Sequence, residues 1–241
     1  MSETYHKRDF WAKENLQYTE AHFRLEKVAG LVNGIAGDRQ CDLLDVGCGP
    51  ATLRRMLRTN VQYHGIDIAI HTPAPNLVQT DFVEGPVSFG DKRFDIIVAQ
   101  GVFEYVGKVQ PQKFSEIRTL LKSGGTFITS YVNFNHREAS IWPAYNNMQS
   151  FNEFRAGLAS VFDINRSFPT SHNWHHHEPR RQYMKRIQMH MNVTIPVISR
   201  LFAVEYLFIC SRSECRVSRS RLSGLKEALC VSFHRVTVYD V

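Results

Sequence analysis

The chain has 241 residues, 43% hydrophobic and 22% charged, with a formal net charge of +6. That is the composition of an ordinary soluble domain, long enough to bury a full core without staples. No run approaches the roughly 18 apolar residues of a membrane helix, residues 1–10 lack the apolar core of a signal peptide, and a cytoplasmic location is expected.

Five cysteines, Cys41, Cys48, Cys210, Cys215 and Cys230, are odd in number and show no C-x-x-C spacing. They argue against a disulfide framework or a zinc site, and reduced thiols are expected. From Ser211 onward six basic residues face three acidic ones, so the tail supplies +3 of the +6. The rest is only mildly basic, which weakens any argument from charge for a nucleic-acid partner.

In chain order, residues 8–33 carry apolar residues at helical spacing and predict a helix closed by Gly34 and Gly37. Strand–helix alternation follows. Strands are predicted at 42–46, 61–66, 76–80, 94–99, 126–132, 161–168 and 205–210. Helices are predicted at 51–58, at 112–122 ending on Gly124-Gly125, and at 152–159. The link 69–75 holds Pro73 and Pro75 and is too short for a full crossover helix. Such alternation predicts one Rossmann-like α/β domain, its mostly parallel sheet covered by helices on both faces. Its expected limits are 1–210, with 1–38 an N-terminal helical lid. Residues 169–203 form a lid insert, with a helix near 181–191. Residues 211–241 read as a basic appendage of uncertain order.

The most informative segment is Leu43-Leu44-Asp45-Val46-Gly47-Cys48-Gly49-Pro50-Ala51-Thr52. An apolar strand feeds a Gly-x-Gly turn that opens a helix. Glycines let backbone approach a ligand, although a tight turn that binds nothing gives the same pattern. A dinucleotide site wants a third glycine where Thr52 stands. An acid just before the turn, Asp45, would repel a pyrophosphate. It suits a ligand that carries an ammonium and a sulfonium but no phosphate, S-adenosylmethionine (SAM). Asp67 ends the second strand, 22 residues after Asp45, where a carboxylate can accept both ribose hydroxyls of either ligand. Asp81 can accept from an adenine amino group, with Phe82 or Ile68 against the ring. The fourth strand delivers Gln100 and Gly101 to the same crevice.

Taken in order, this turn with its preceding acid, the acid of strand two, Thr80-Asp81-Phe82 and the run from Phe94 to Val106 resemble class I SAM-dependent methyltransferases. Leu120-Leu-Lys-Ser-Gly-Gly-Thr-Phe-Ile-Thr-Ser130 looks like that family's helix–turn–strand. The resemblance is strong over residues 40–132. It implies strand order 3-2-1-4-5-7-6 with the seventh antiparallel, and SAM as cofactor with S-adenosylhomocysteine (SAH) as product. The cofactor residues it implies are Asp45, Gly47, Cys48, Gly49, Asp67, Ile68, Asp81, Phe82, Gln100 and Gly101. The Pro-rich link after Asp67 departs from the pattern, where many members have a helix, and puts the adenine side in doubt.

Methyl transfer requires an aligned acceptor and, for an oxygen acceptor, loss of a proton. The implied topology places Phe103, Tyr105, Tyr131, Asn133 and Trp174 around the acceptor, with Phe103 and Phe134 equally able to be core. The general-base candidates are His172, His175, His176, His177, His136 and Glu104; the histidine run reads equally as a solvated loop. No metal is expected. A small-molecule acceptor is expected, of natural-product or glycolipid type, methylated on oxygen or nitrogen. RNA or protein methylation and non-catalytic SAM binding are the alternatives. Against base methylation, no Asn/Asp-Pro-Pro-Tyr/Phe run follows the fourth strand. Oligomeric state is not indicated.

Overall fold

A computed structural model describes residues 8–14, 18–20, 23–87, 89–133, 149–173, 188–189, 199 and 203–212. The strands are β1 (Cys41–Val46), β2 (Val61–Asp67), β3 (Leu77–Gln79), β4 (Phe94–Ala99), β5 (Leu121–Val132), β6 (Phe162–Asn173), β7 (Gln188–Met189) and β8 (Ala203–Arg212). They form one sheet in the order β3-β2-β1-β4-β5-β8-β6-β7. Strands β1 to β5 pair in parallel, and β8 lies antiparallel between β5 and β6. The seven expected strands therefore stand in the expected order. A two-residue strand, β7, is added at the β6 edge, where a helix near 181–191 was expected; the residues around it lie outside the described residues.

The period-2 alternation of β1 sends its side chains to two cores. Leu44 and Val46 join Phe127, Phe208 and the helices α3 (Gln110–Leu120) and α4 (Phe151–Val161) on one face. Cys41 and Leu43 join Ile128, Leu207 and the helix α2 (Phe23–Ala36) on the other. Each large aliphatic or aromatic side chain so buried contributes about 1.5–3 kcal/mol. Helix α2 buries Val28, Ala29, Val32 and Ala36, the stripe of a surface helix. It ends on Gly37, whose N–H donates to Asn33 O at φ +56°. Helix α4 starts with a reciprocal cap between Ser150 and Glu153.

Four local expectations are corrected. The single helix over 8–33 is two helices, α1 (Arg8–Glu14) and α2. Between them Tyr18 and Thr19 lie against the glycine turn: Thr52 Oγ1 donates to Tyr18 O at 2.6 Å, and Arg55 donates to Thr19 O. The helix expected over 51–58 is a 3-10 turn, Thr52–Met56, held to α2 by Asn33, which bonds both Met56 O and Arg58 N–H. Gly124-Gly125 does not end α3. The β4–β5 register jumps from Phe94↔Leu121 to Ile96↔Thr126, and the glycines lie in that excursion. The last strand runs past Cys210 to Arg212, whose Nη1 donates to Leu121 O at 3.1 Å. Residues 213–241 lie outside the described residues, and among those described no helix is long and apolar enough to cross a membrane.

Candidate active site

The carboxyl ends of β1, β2 and β4 meet at a cavity of about 230 Å³. All ten residues expected around the cofactor line it: Asp45, Gly47, Cys48, Gly49, Asp67, Ile68, Asp81, Phe82, Gln100 and Gly101. Its wall also includes residues not expected there, Arg24 and Leu25 of α2, Thr52, Val102 and Val132, as well as Trp11 of α1 and the expected Tyr105.

The glycine turn is tied to the end of β2. Gly47 and Cys48 donate their N–H groups to Ile66 O at 2.8 and 3.0 Å. Gly49 N–H donates to Asp67 Oδ2 at 2.8 Å, and Ala69 N–H donates to Asp67 Oδ1 at 2.9 Å. Asp67 thus organises the turn as well as facing the cavity. Gly47 is required twice over: its φ is +73°, and a Cβ there would stand 2.5 Å from Val102 Cγ2. Gly47→Ala is therefore expected to lower the melting temperature by several degrees and weaken SAH binding at least tenfold. The left-handed strain alone costs about 1–2 kcal/mol. A melting curve and a calorimetric titration of the variant check both.

Asp45 is buried and accepts from Tyr63 Oη at 2.7 Å. Burial pushes its carboxyl up to about 7, with the nearby Asp67 charge acting the same way and the Tyr63 bond opposing. Asp81 Oδ1 accepts from Val83 and Glu84 N–H groups and caps the turn after β3. Phe82 is wedged between the cavity, the edge of Phe103 and the Lys113 ammonium 5.3 Å from its ring centre. Gln100 Nε2 is buried with no hydrogen-bond partner among the described residues.

The acceptor residues divide. Tyr105 faces the cavity, edge-on to Trp11 at 4.8 Å between ring centres. Phe103 does not: it is fully buried and stacked on Phe114 at 4.6 Å, because the 3-10 turn Phe103–Tyr105 rolls it into the α3/α4 core. Tyr131 is likewise core, stacked on Phe154 at 3.9 Å with its hydroxyl donating to Gln149 O. Asn133 donates to Ala203 O at 3.0 Å and joins β5 to the start of β8; it is absent from the cavity wall. His172 belongs to β6, its backbone paired with Met189 and Ala203; its side chain, and His136, Trp174, His175, His176 and His177, lie outside the described residues. Of the base candidates, Glu104 lines the cavity. Among the described residues no three metal-binding side chains come together.

Comparison with known proteins gives the class. A family model described as a methyltransferase domain matches residues 20–188, and the chain belongs to that family. It is a SAM-dependent methyltransferase by class. The fold is shared with solved structures at low identity. A TehB-like SAM-dependent methyltransferase from Corynebacterium glutamicum is 14% identical at TM-score 0.52, covering 88% of this chain and 98% of that one. The putative methyltransferase complexed with the Trm112 activator of Haloferax volcanii is 18% identical at TM-score 0.58, covering 86% and 96%. The N-methyltransferase NodS of Bradyrhizobium japonicum, solved with SAH, is 11% identical at TM-score 0.52, covering 85% and 99%. No curated protein matches the sequence.

Proposed function

We propose that the cavity holds SAM and that the chain passes its methyl group to an oxygen or nitrogen of a small molecule. One observation carries the cofactor assignment: three carboxylates, Asp45, Asp67 and Asp81, surround one cavity beneath the glycine turn. Asp45 beside the turn would repel a pyrophosphate and suit a cationic nucleoside, while Asp67 and Asp81 offer acceptors to its ribose and adenine. Asp67 would take the ribose hydroxyls. Asp81, Phe82 and Ile68 would meet the adenine. Gln100 Nε2, with its missing partner, and the Gly47–Gly49 turn would meet the amino-acid end. SAM, when bound, supplies an electrophilic methyl group on a sulfonium; the protein's part is to align the acceptor and exclude water. Trp11 and Tyr105, packed against each other over the cavity, would give the acceptor an aromatic wall.

Calorimetric titration with SAH and NAD tests the cofactor. Saturable binding of SAH and none of NAD is expected. Tight NAD binding with no response to SAH would overturn the assignment. Incubation with methyl-labelled SAM and separate small-molecule, RNA and protein fractions tests the acceptor class. Label in the macromolecular fractions alone would reject a small molecule.

A further inference from the structure

Glu104 is 3% exposed, yet it lines the cavity. The 3-10 turn after β4 brings it against the end of β5, where Val132 N–H donates to its Oε1 at 3.1 Å. Its other oxygen, Oε2, is buried with no hydrogen-bond partner among the described residues. Leaving a buried acceptor unmatched is costly, and such an atom on a cavity wall marks a place where a ligand brings the donor.

The cation within reach is already engaged. Arg24, which shares the cavity wall with Glu104, pairs with Glu205 of β8. Glu205 is buried, and its second oxygen accepts from Thr170 Oγ1 at 3.0 Å. Lys27 donates to the Thr170 carbonyl. A second acid therefore holds the arginine. The remaining titratable neighbours are Tyr18, near Arg24, Tyr131 on β5 and Tyr105, next in the same turn. Burial and the Glu205 charge push the Glu104 carboxyl up to about 8, against the pull of its own backbone N–H, of Arg24 and of the Val132 N–H. That places its proton affinity where a general base operates near neutral pH.

We propose that Glu104 Oε2 receives the proton of the methyl acceptor. The proposal rests on the methyltransferase reading and narrows the acceptor to one whose nucleophilic atom arrives carrying a proton, a hydroxyl or an ammonium. It excludes thioethers and alkene carbons. With a hydroxyl, Oε2 takes the proton as the oxygen lone pair bonds to the methyl carbon. The carbon–sulfur bond breaks and its electron pair stays on sulfur, so the carboxylate's negative charge and the sulfonium's positive charge vanish together. With an ammonium, Oε2 takes one proton first and frees the nitrogen lone pair. The product then leaves as a methylammonium, and the charge count is again unchanged.

Sinefungin tests this without knowledge of the acceptor, because it carries an amine where SAM carries the reactive methyl group. Its affinity is measured against that of SAH in the full chain between pH 6.5 and 8.5. Sinefungin is expected to bind the wild type at least tenfold better than SAH at the upper pH. Its advantage should grow about tenfold over the range, as an ammonium draws the proton off Glu104. In Glu104→Gln, SAH should still bind and the sinefungin advantage should disappear. An advantage that is flat with pH in the wild type, or that survives in Glu104→Gln, overturns the proposal. A flat wild-type series overturns the proposal even if the variant does not fold. Absence of SAH binding in the wild type would instead strike the methyltransferase reading.

Discussion

Asp67→Ala is expected to weaken SAH binding by at least tenfold and to loosen the glycine turn at the same time. The ligand part follows from charge-assisted hydrogen bonds, worth about 1.5–3 kcal/mol, that a carboxylate at the end of β2 would offer to ribose hydroxyls. The turn part follows from the structure itself. Asp67 accepts from Gly49 and Ala69 N–H groups, and alanine leaves both donors without that partner. Asp67→Asn separates the two effects. An amide oxygen keeps one acceptor but removes the charge, so the turn should survive better than the affinity. Melting curves and calorimetric titrations of both variants check this. An Asp67→Ala protein that is folded and binds SAH with an unchanged dissociation constant would remove Asp67 from the site.

The free protein is expected to be more stable at pH 5.5 than at pH 8. Asp45 and Glu104 have carboxyls raised by burial from 3.8 to about 7 and from 4.5 to about 8. Between those values the folded chain holds protons that the unfolded chain has released, so stability falls as pH rises, by about 1.4 kcal/mol per pH unit for each group. Over this range the sum is about 2–5 kcal/mol, or roughly 5–15 °C in melting temperature for a chain of this size. Lys27 acts in the opposite sense: burial lowers its ammonium from 10.5 to about 8. Its contribution therefore returns stability as pH rises above 8, while the Cys41, Cys48 and Cys210 thiols, pushed up from 9.0 by burial, remove it again above about 9. Urea unfolding across pH 5–10 measures the curve. The double variant Asp45→Asn with Glu104→Gln should flatten its lower limb, and a wild-type curve that rises from pH 5.5 to 8 would contradict the burial of these carboxyls.

The sheet was legible because each strand is a short apolar run bounded by turn residues, and because parallel alternation fixes which strand ends share a rim. The same logic carries Asp45, Asp67, Asp81 and Gln100 to one cavity. What sequence position at a strand end does not reveal is which way a side chain turns once the chain leaves the strand. Phe103 and Glu104 are neighbours in one 3-10 turn, yet one goes to the core and the other to the cavity. Tyr131 and Asn133 misled for a related reason, since Tyr131 stacks on Phe154 of α4 and Asn133 is held by the carbonyl of Ala203 at the start of β8. Arg24 and Glu205 are 181 residues apart, and no local pattern joins them. One signal was present: a buried strand such as β8 seldom carries an acid without a partner, and Glu205 interrupts an otherwise apolar run. Thr52, read only as a missing third glycine, holds the N-terminal segment down by its hydroxyl.

The place of β8 also sets an order of assembly. It is the last described strand in the chain, yet it sits inside the sheet, with Val132↔Glu205 on one side and Ser171↔Glu205 on the other. As the chain leaves the ribosome, β1 to β5 can pair while the outer edge of β5 waits open, and β6 has nothing to dock on. An open, apolar edge of this kind invites association with other chains. Pairings across such sequence distances also form slowly. Arrival of β8 closes that edge, seats β6 and delivers Glu205 to Arg24 in a single event. A nascent chain stalled before residue 203 would hold every acid of the glycine-turn site and still lack the carboxylate that ties α2 down over it.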